Sequence, residues 1–192
     1  MAEPLSIRKR QLTRDRIAAA AATLVAEDGL TATTIERIAA EAHVGRATFF
    51  RYFASKEDAV ADGMTRRWLD VITARLEAQP TELSARDAVV AAFRSLGDGF
   101  DAISAQVRDL AVMTRSSPAL SAWTLQIYVG YETAIAELVS ARLGGLEPDD
   151  PRPRLIGAMA MASVRIALDD WLQHGGSLPD RIQGAMEALS VD

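Results

Sequence analysis

The chain has 192 residues, of which 49% are hydrophobic and 24% charged, an ordinary composition for a globular protein of one or two domains. It contains no cysteine, which excludes a disulfide framework and a cysteine-ligated zinc site and fits a reducing cytoplasm. The net charge is −5, but residues 1–56 hold nine basic and six acidic side chains while residues 57–192 hold twelve and twenty, so a basic N-terminal part precedes an acidic one.

No stretch of the sequence predicts a membrane span. The longest run without a charge, residues 116–131, is shorter than the roughly 20 apolar residues that a span requires. The basic residues near the N-terminus are not followed by an apolar run of the signal-peptide kind. We therefore expect a cytoplasmic protein with no membrane partner.

The first predicted helix has one apolar face and ends near Gly29, since glycine commonly follows the last helical residue. That face consists of Ile17, Ala20, Ala21, Leu24 and Val25. A basic run over residues 8–16 leads into the helix. It predicts either an arm that lies along DNA phosphates or a solvated helix start.

Two short helical patterns separated by a turn of three or four residues follow. The first opens with Thr33 and Glu36, whose spacing predicts a capping box. The second carries Phe49 and Phe53 on one side. The pair predicts a helix-turn-helix or an ordinary helical hairpin. The side chains left on the outside favour the former, because arginines, hydroxyls and aromatic rings suit phosphates and base edges. They are Arg46, Thr48, Phe50, Arg51 and Tyr52.

The next helix is predicted to begin after Ser55, with Asp58 at the reciprocal capping position. Lys56 falls in its first turn, where the helix dipole disfavours a cation. Helix stability does not account for this lysine, and we interpret it as a ligand of a DNA phosphate at the helix end.

These segments, above all residues 47–58 (ATFFRYFASKED), resemble the DNA-binding domain of TetR-family transcriptional regulators. The resemblance implies that the threonine pair and several later residues contact the DNA backbone, and that Arg46, Ala47 and Phe50 read the major groove. The full set of DNA contacts expected here is Thr33, Thr34, Gly45, Arg46, Ala47, Thr48, Phe50, Arg51, Tyr52 and Lys56. The chain departs from the family pattern at His43, where the turn usually has glycine, and at Gly45, where a capping serine is common.

From Lys56 onward the pattern stays helical, without a strand signal, so we predict an all-α fold of about nine helices. The predicted domains are an N-terminal three-helix DNA-binding domain at residues 1–56 and a helical ligand-binding and dimerisation domain at residues 57–192. Because a helix joins them without a flexible linker, motion of the second domain must move the first.

The predicted eighth helix carries a single charge, Arg165, between Leu155 and Leu168. A helix that is apolar on nearly every side must be covered on nearly every side, and a second copy of the chain could cover one of them, with Gly157 allowing close approach. The family resemblance likewise implies a homodimer through the last two long helices, helices eight and nine. The predicted interface is Leu155, Ala158, Ala162, Ile166, Ile182, Met186 and Leu189.

The resemblance also implies a pocket among helices four to eight, in which a small molecule binds and releases the DNA. The candidate lining is Trp68, Ile72, Phe93, Phe100, Met113, Trp123, Ile127, Tyr131 and Met159. Residues 107–123 and the segment DPRPRL are similar to a subgroup described as binding acyl-CoA-like ligands. A hydrophobic drug or an aromatic acid would suit an apolar cavity equally well.

The sequence gives little support for a metal site or for catalysis. His43 and His174 are far apart, and the pairs Asp149–Asp150 and Asp169–Asp170 have no evident partner for acid–base work, so we predict no metal, no cofactor and no enzyme. The predicted function is a ligand-responsive repressor that a small apolar molecule releases from a palindromic operator. The alternative is a helical enzyme or carrier that uses the apolar cavity, with the N-terminal domain as a non-sensing module.

Overall fold

The computed structural model describes residues 5–116 and 118–188, which form nine α-helices, one short 3-10 helix and no strand. They are α1 (Leu5–Ala32), α2 (Ile35–Glu41), α3 (Arg46–Tyr52), α4 (Lys56–Glu77), α5 (Ala85–Ser95), the 3-10 helix (Phe100–Ala102), α6 (Ser104–Thr114), α7 (Pro118–Ser140), α8 (Arg152–His174) and α9 (Leu178–Glu187). The predicted all-α fold is confirmed. None of these helices is both long and apolar enough to cross a membrane.

Two of the predicted helix ends are confirmed by their hydrogen bonds and dihedral angles. Gly29 interrupts α1 with φ 81° and ψ 167°, a conformation that glycine adopts readily. At the start of α4, the Asp58 amide donates to the Ser55 hydroxyl and the Ser55 amide donates to the Asp58 carboxylate, both at 3.1 Å. Each side chain thereby satisfies a backbone donor of the other.

The cap of α2 differs from the prediction by one residue. Thr34 is the N-cap, and its hydroxyl accepts the amide of Arg37 at 3.3 Å. Thr33 is fully buried and donates its own hydroxyl to the Gly29 carbonyl at 2.9 Å. The predicted Thr33–Glu36 capping box is therefore wrong, because Thr33 closes the end of α1 instead.

The chain divides into two compact units at Trp68 and Leu69, inside α4 and further along the chain than the predicted boundary between residues 56 and 57. The cause is the packing of α4 on α1. A Cβ atom on Gly63 would lie 1.9 Å from the Ala18 carbonyl oxygen, so the two backbones touch at this glycine. The first turns of α4 thus belong to the core of the N-terminal unit.

That core joins α1, α2, α3 and the first half of α4. Its buried apolar side chains include Ile17, Leu24, Ile38, Phe49, Phe53, Val60 and Met64. The Phe49 and Phe53 rings lie 6.0 Å apart, as their spacing of four on one helix side predicted. Val44, in the turn between α2 and α3, is half-buried at the edge of this core.

In the second unit, α8 packs along both α7 and α9. A Cβ atom on Gly157 of α8 would lie 2.3 Å from the Glu132 carbonyl oxygen of α7. This glycine therefore allows two helices of the same chain to approach, and the expectation that it serves a second copy is wrong. A further cluster at the end of α8 is formed by Ala167, Trp171 and Leu178.

Two residues of α9 that were predicted at the dimer interface pack within their own chain. Met186 is buried, and Ile182 packs against the cluster around Trp171, so both side chains belong to the unit's own core. α9 is a short helix with one apolar face, and Leu178 and Met186 on that face are buried within the unit. Of the predicted α9 interface residues, Met186 is enclosed within the chain, Ile182 is half-buried and Leu189 lies outside the described residues.

Candidate nucleic-acid interface

The turn between α2 and α3 has the backbone that the sequence required. His43 has φ 50°, the left-handed conformation that is uncommon for a residue other than glycine. The amides of His43 and Val44 donate to carbonyls of α2 at 3.0 and 2.9 Å. Gly45 is the N-cap of α3 and makes no side-chain cap, as its lack of a hydroxyl dictates. The helix-turn-helix is thus present with both departures from the family pattern.

The outer side of α3 is left uncovered by the chain. Phe49 is buried, whereas Phe50 is 46% exposed with its ring edge-on to Phe49 at 5.5 Å. Gly45, Arg46, Ala47 and Arg51 are also exposed, and Thr48 and Tyr52 are half-buried. A large exposed aromatic ring among arginines is typical of a binding surface.

Arg46, which we predicted to read bases, has a partner that the sequence did not reveal. Its guanidinium forms an ion pair with Glu36 of α2 and lies 5.5 Å from the Phe50 ring centroid. Both charged groups are more than half exposed, so solvent screening leaves the pair worth at most about 1 kcal/mol. A base or a phosphate can therefore displace Glu36 at little cost.

Lys56 and Thr33 are placed differently from the prediction. The Lys56 ammonium donates to the carbonyls of Leu30 and Thr33 at 3.0 and 2.9 Å. This explains a lysine in the first turn of α4, because it satisfies carbonyls where α1 ends and α2 approaches. A phosphate is not needed to account for it, although an ammonium has three donors and these two contacts use only two of them. The buried Thr33 side chain does not face DNA, whereas that of Thr34 is exposed.

The basic side chains of residues 8–16 do not all lie in the same environment. Arg8, Lys9, Arg10 and Arg16 are exposed, consistent with either reading of the run. Arg14 turns inward and donates to the Tyr52 carbonyl at 3.1 Å. Sequence spacing could not show this contact, because it joins residues 38 positions apart.

The nine residues predicted to contact the effector differ in how far they are buried. Ile72, Phe93, Met113 and Tyr131 are buried, and Trp68, Phe100, Trp123 and Ile127 are half-buried. Met159 is 39% exposed on the surface of α8. Its burial gives no support to the predicted place in the pocket, because helical periodicity does not show which side of an all-apolar helix faces inward.

A polar cluster that the sequence did not predict lies among α6, α7 and α8. Two guanidinium nitrogens of Arg115 each lie 2.8 Å from one carboxylate oxygen of Asp169. Burial raises the pKa of the neighbouring Tyr128 hydroxyl, and Arg115 opposes that rise. Burial also raises the pKa of Tyr131, whose ring lies 6.4 Å from that of Tyr128. The cluster puts hydrogen-bonding groups beside an apolar interior.

Both acidic pairs acquire arginine partners. Asp150 binds Arg152, whose hydrogen bonds lower the pKa of that carboxyl, and Asp169 binds Arg115. Neither pair is arranged as two facing carboxylates. A separate cleft of about 660 Å³ is lined by Phe100 and Trp171 together with charged residues such as Arg94, Asp101 and Asp180. Phe100 alone of the nine predicted effector residues borders it.

Comparison with known proteins decides the family. Residues 17–61 match the model of bacterial regulatory proteins of the tetR family, and residues 83–191 match that of the MftR C-terminal domain. The chain belongs to the TetR family of transcriptional regulators. The helix-turn-helix is accordingly its DNA-binding domain, and the protein is a regulator and not an enzyme.

Relatives extend the match over nearly the whole chain. The HTH-type transcriptional regulator TcmR of Streptomyces glaucescens is 32% identical over 96% of this chain and 80% of its own length. The putative mycofactocin biosynthesis regulator MftR of Mycobacterium tuberculosis is 28% identical over 96% and 92%. The structure of Thermus thermophilus FadR, a TetR-family repressor solved with lauroyl-CoA, covers 92% of both chains with a TM-score of 0.65 at 22% identity, a likeness of fold.

Proposed function

We propose that this regulator is a repressor that binds a palindromic operator as a homodimer and is released by a small apolar effector. The exposed outer side of α3, with Arg46 and Phe50 uncovered on the helix-turn-helix, is the observation that carries the DNA-binding half of the proposal. A protein of this kind acts on DNA in the bacterial cytoplasm.

The DNA contacts follow from exposure. The base-reading residues are Arg46, Ala47 and Phe50, because they point away from the core of the unit. The residues proposed to contact the backbone are Thr34, Gly45, Thr48, Arg51, Tyr52 and the remaining donor of Lys56. The Thr33 side chain is left out because it is fully buried.

The proposed dimer uses α7 and α8 in place of α8 and α9. Leu155, Met159, Ala162 and Ile166 recur on α8 at i, i+4, i+7 and i+11, which places them in one stripe. Leu155, Met159 and Ile166 are exposed, and Ala158 lies beside them half-buried. On α7 the exposed apolar residues Leu125 and Val129 are four apart. Four helices, two from each copy, would cover these side chains.

The proposed effector site lies in the second unit, among α4, α6, α7 and α8. Ligand pockets combine apolar walls with a few convergent polar groups. The buried Tyr131 lies beside Tyr128, which has Arg115 as a neighbour, and Ile72 and Met113 are buried apolar side chains of the same unit. An acyl-CoA-like molecule would place its acyl chain among the apolar side chains. The lauroyl-CoA bound by a protein of the same fold supports that class.

The coupling would run through α4, which begins in the DNA-binding unit at Lys56 and continues as one helix to Glu77. An effector that displaces the second half of α4 changes the spacing of the two copies of α3, the recognition helices, in a dimer. Those helices must lie about 34–36 Å apart to enter successive major grooves, so a small displacement removes the contacts of one of them.

The test is linkage between effector and operator. A duplex selected from a random pool serves as operator, and lauroyl-CoA and free coenzyme A are titrated by calorimetry with and without it. Lauroyl-CoA is expected to bind roughly 5- to 150-fold more weakly in the presence of operator, and operator to bind more weakly by the same factor in the presence of lauroyl-CoA. Free coenzyme A, which lacks the acyl chain, is the control and should show no coupling.

Equal affinity of lauroyl-CoA in both titrations would remove acyl-CoA as the effector. Apolar aromatic acids are then titrated in the same way. If none of these compounds shows coupling, the sensing role fails while the DNA-binding role, measured by the operator itself, stands.

A further inference from the structure

Arg14 of α1 makes three contacts, two with the end of α3, the recognition helix, and one with α4. One terminal nitrogen of its guanidinium donates to the Tyr52 carbonyl at 3.1 Å. Its Nε lies 3.4 Å from the Asp62 carboxylate of α4. The face of the guanidinium lies 4.4 Å from the ring centroid of Phe53, the C-cap of α3. One side chain thus touches α3 and α4 at the same time.

Only arginine can make these three contacts together. Tyr52 is the last residue of α3, and the last carbonyls of a helix have no partner within it. A planar guanidinium presents several donors in a rigid fork and stacks on an aromatic face, whereas the lysine ammonium is a compact point charge. A cation at a helix C-terminus is also favoured by the helix dipole.

The Asp62 side chain is held by more than one cation. It is 12% exposed, and Arg66 approaches it to 3.4 Å while also pairing with Asp15 of α1 at 2.6 Å. A nearly buried carboxylate with two arginines has a restricted position, because losing either partner leaves charge uncompensated in the interior. Asp62 therefore fixes Arg14 relative to α4.

We infer that Arg14 is a positioning residue for operator binding: it holds the C-terminal end of the recognition helix at a place set by α4. The inference rests on the DNA-binding function of the family and extends the proposed coupling, because a displacement of Asp62 with α4 would reach Tyr52 through one guanidinium. For Arg14, this positioning role replaces the sequence-based prediction that residues 8–16 form an arm along the DNA phosphates.

The decisive experiment is Asp62→Asn, because a purely electrostatic role and a positioning role predict opposite changes in operator affinity. Removing a carboxylate near DNA should strengthen binding if only long-range electrostatics matter. If Asp62 holds Arg14 in place, operator affinity should instead fall about tenfold, the loss that follows when a hydrogen bond to a charged group is removed. Asp15→Asn is the matched control, since it makes the same charge change in the same network without touching Arg14, and it should leave affinity unchanged or slightly higher.

The second variant is Arg14→Lys, which keeps the charge but not the fork. If Arg14 is a positioning residue, the variant should bind the operator about tenfold more weakly. The slope of log K against log salt should stay the same, because no phosphate contact is lost. Arg16→Ala, which removes an exposed arginine of the same helix, is the comparison: a lost phosphate contact reduces that slope by about 0.9.

Thermal unfolding and the helical circular dichroism of each variant are recorded in parallel, and affinities are measured at a temperature where each is folded. A double variant of Asp62→Asn and Arg14→Lys should lose little more than either change alone, because both act through one contact. Tighter operator binding by Asp62→Asn, or wild-type affinity in Arg14→Lys, would overturn the inference.

Discussion

At the level of single residues, the DNA-facing surface is arranged so that its charges are held but not buried. Arg46 is paired with Glu36 and rests near Phe50, and both partners of the ion pair remain open to solvent. Such a pair costs little to break, yet it limits the directions in which the arginine points. In the free protein the proposed base-reading side chain is therefore already partly ordered.

Arg46→Ala tests the reading of bases at this position. We expect operator affinity to fall by about 1–3 kcal/mol and discrimination at one base pair of each half-site to relax, because a bidentate contact to guanine is lost. Arg75→Ala, which removes an exposed arginine of the second unit, serves for comparison. The measurement is a binding titration against the operator and its single-base variants, and unchanged discrimination would show that Arg46 reads no base.

At the level of helices, the close contacts depend on glycine. Gly63 lets α4 touch α1 at Ala18, and Gly157 lets α8 touch α7 at Glu132. In each case an added methyl group would meet a carbonyl oxygen of the neighbouring backbone, which cannot rotate aside. These two positions therefore set the interhelical distance within each unit.

Gly63→Ala is expected to destabilise the protein by about 1–3 kcal/mol or more, because overpacking must push α4 away from α1. Gly184→Ala on α9 is the matched control. Nothing lies within 4 Å of a Cβ atom there, so alanine should stabilise the helix by about 0.5–1 kcal/mol. Urea unfolding of both variants checks the pair, and equal stabilities would contradict the packing described for α1 and α4.

At the level of the whole molecule, the exposed apolar side chains of α7 and α8 are the feature that a single chain leaves unsatisfied. Leu125, Val129, Leu155 and Ile166 are about half exposed, on the two long helices that pack along each other. Contiguous apolar patches of this kind on a folded protein mark interaction sites. A two-fold partner would pair the same surface with itself.

Ile166→Glu combined with Leu155→Glu should therefore convert the protein to a monomer without unfolding it, because both side chains are exposed in one chain. Val112→Glu on α6 makes a comparable change at an equally exposed apolar position outside α7 and α8, and should leave the dimer intact. Sedimentation at micromolar concentration distinguishes these outcomes. A wild-type protein that sediments as a monomer would disprove the proposed dimer.

Much of the fold and of the DNA-facing surface could be predicted from the sequence, because the signals are local. Helical periodicity put Phe49 inside and Phe50 outside, and the reciprocal cap of Ser55 and Asp58 depends on residues three apart. The same holds for the glycine that interrupts α1. Interactions within one or two turns are decided by neighbouring residues, so a linear pattern contains them.

The tertiary structure alone decided the roles of residues whose partners are distant in sequence. Lys56 binds carbonyls of α1 and the turn before α2, Arg14 binds the end of α3, and Arg115 binds Asp169 across 54 positions. It also decided which apolar side chains stay exposed. Periodicity shows that a helix has an apolar face, but burial depends on which neighbouring helix covers that face, and this is why Met186 lies in the core while Met159 does not.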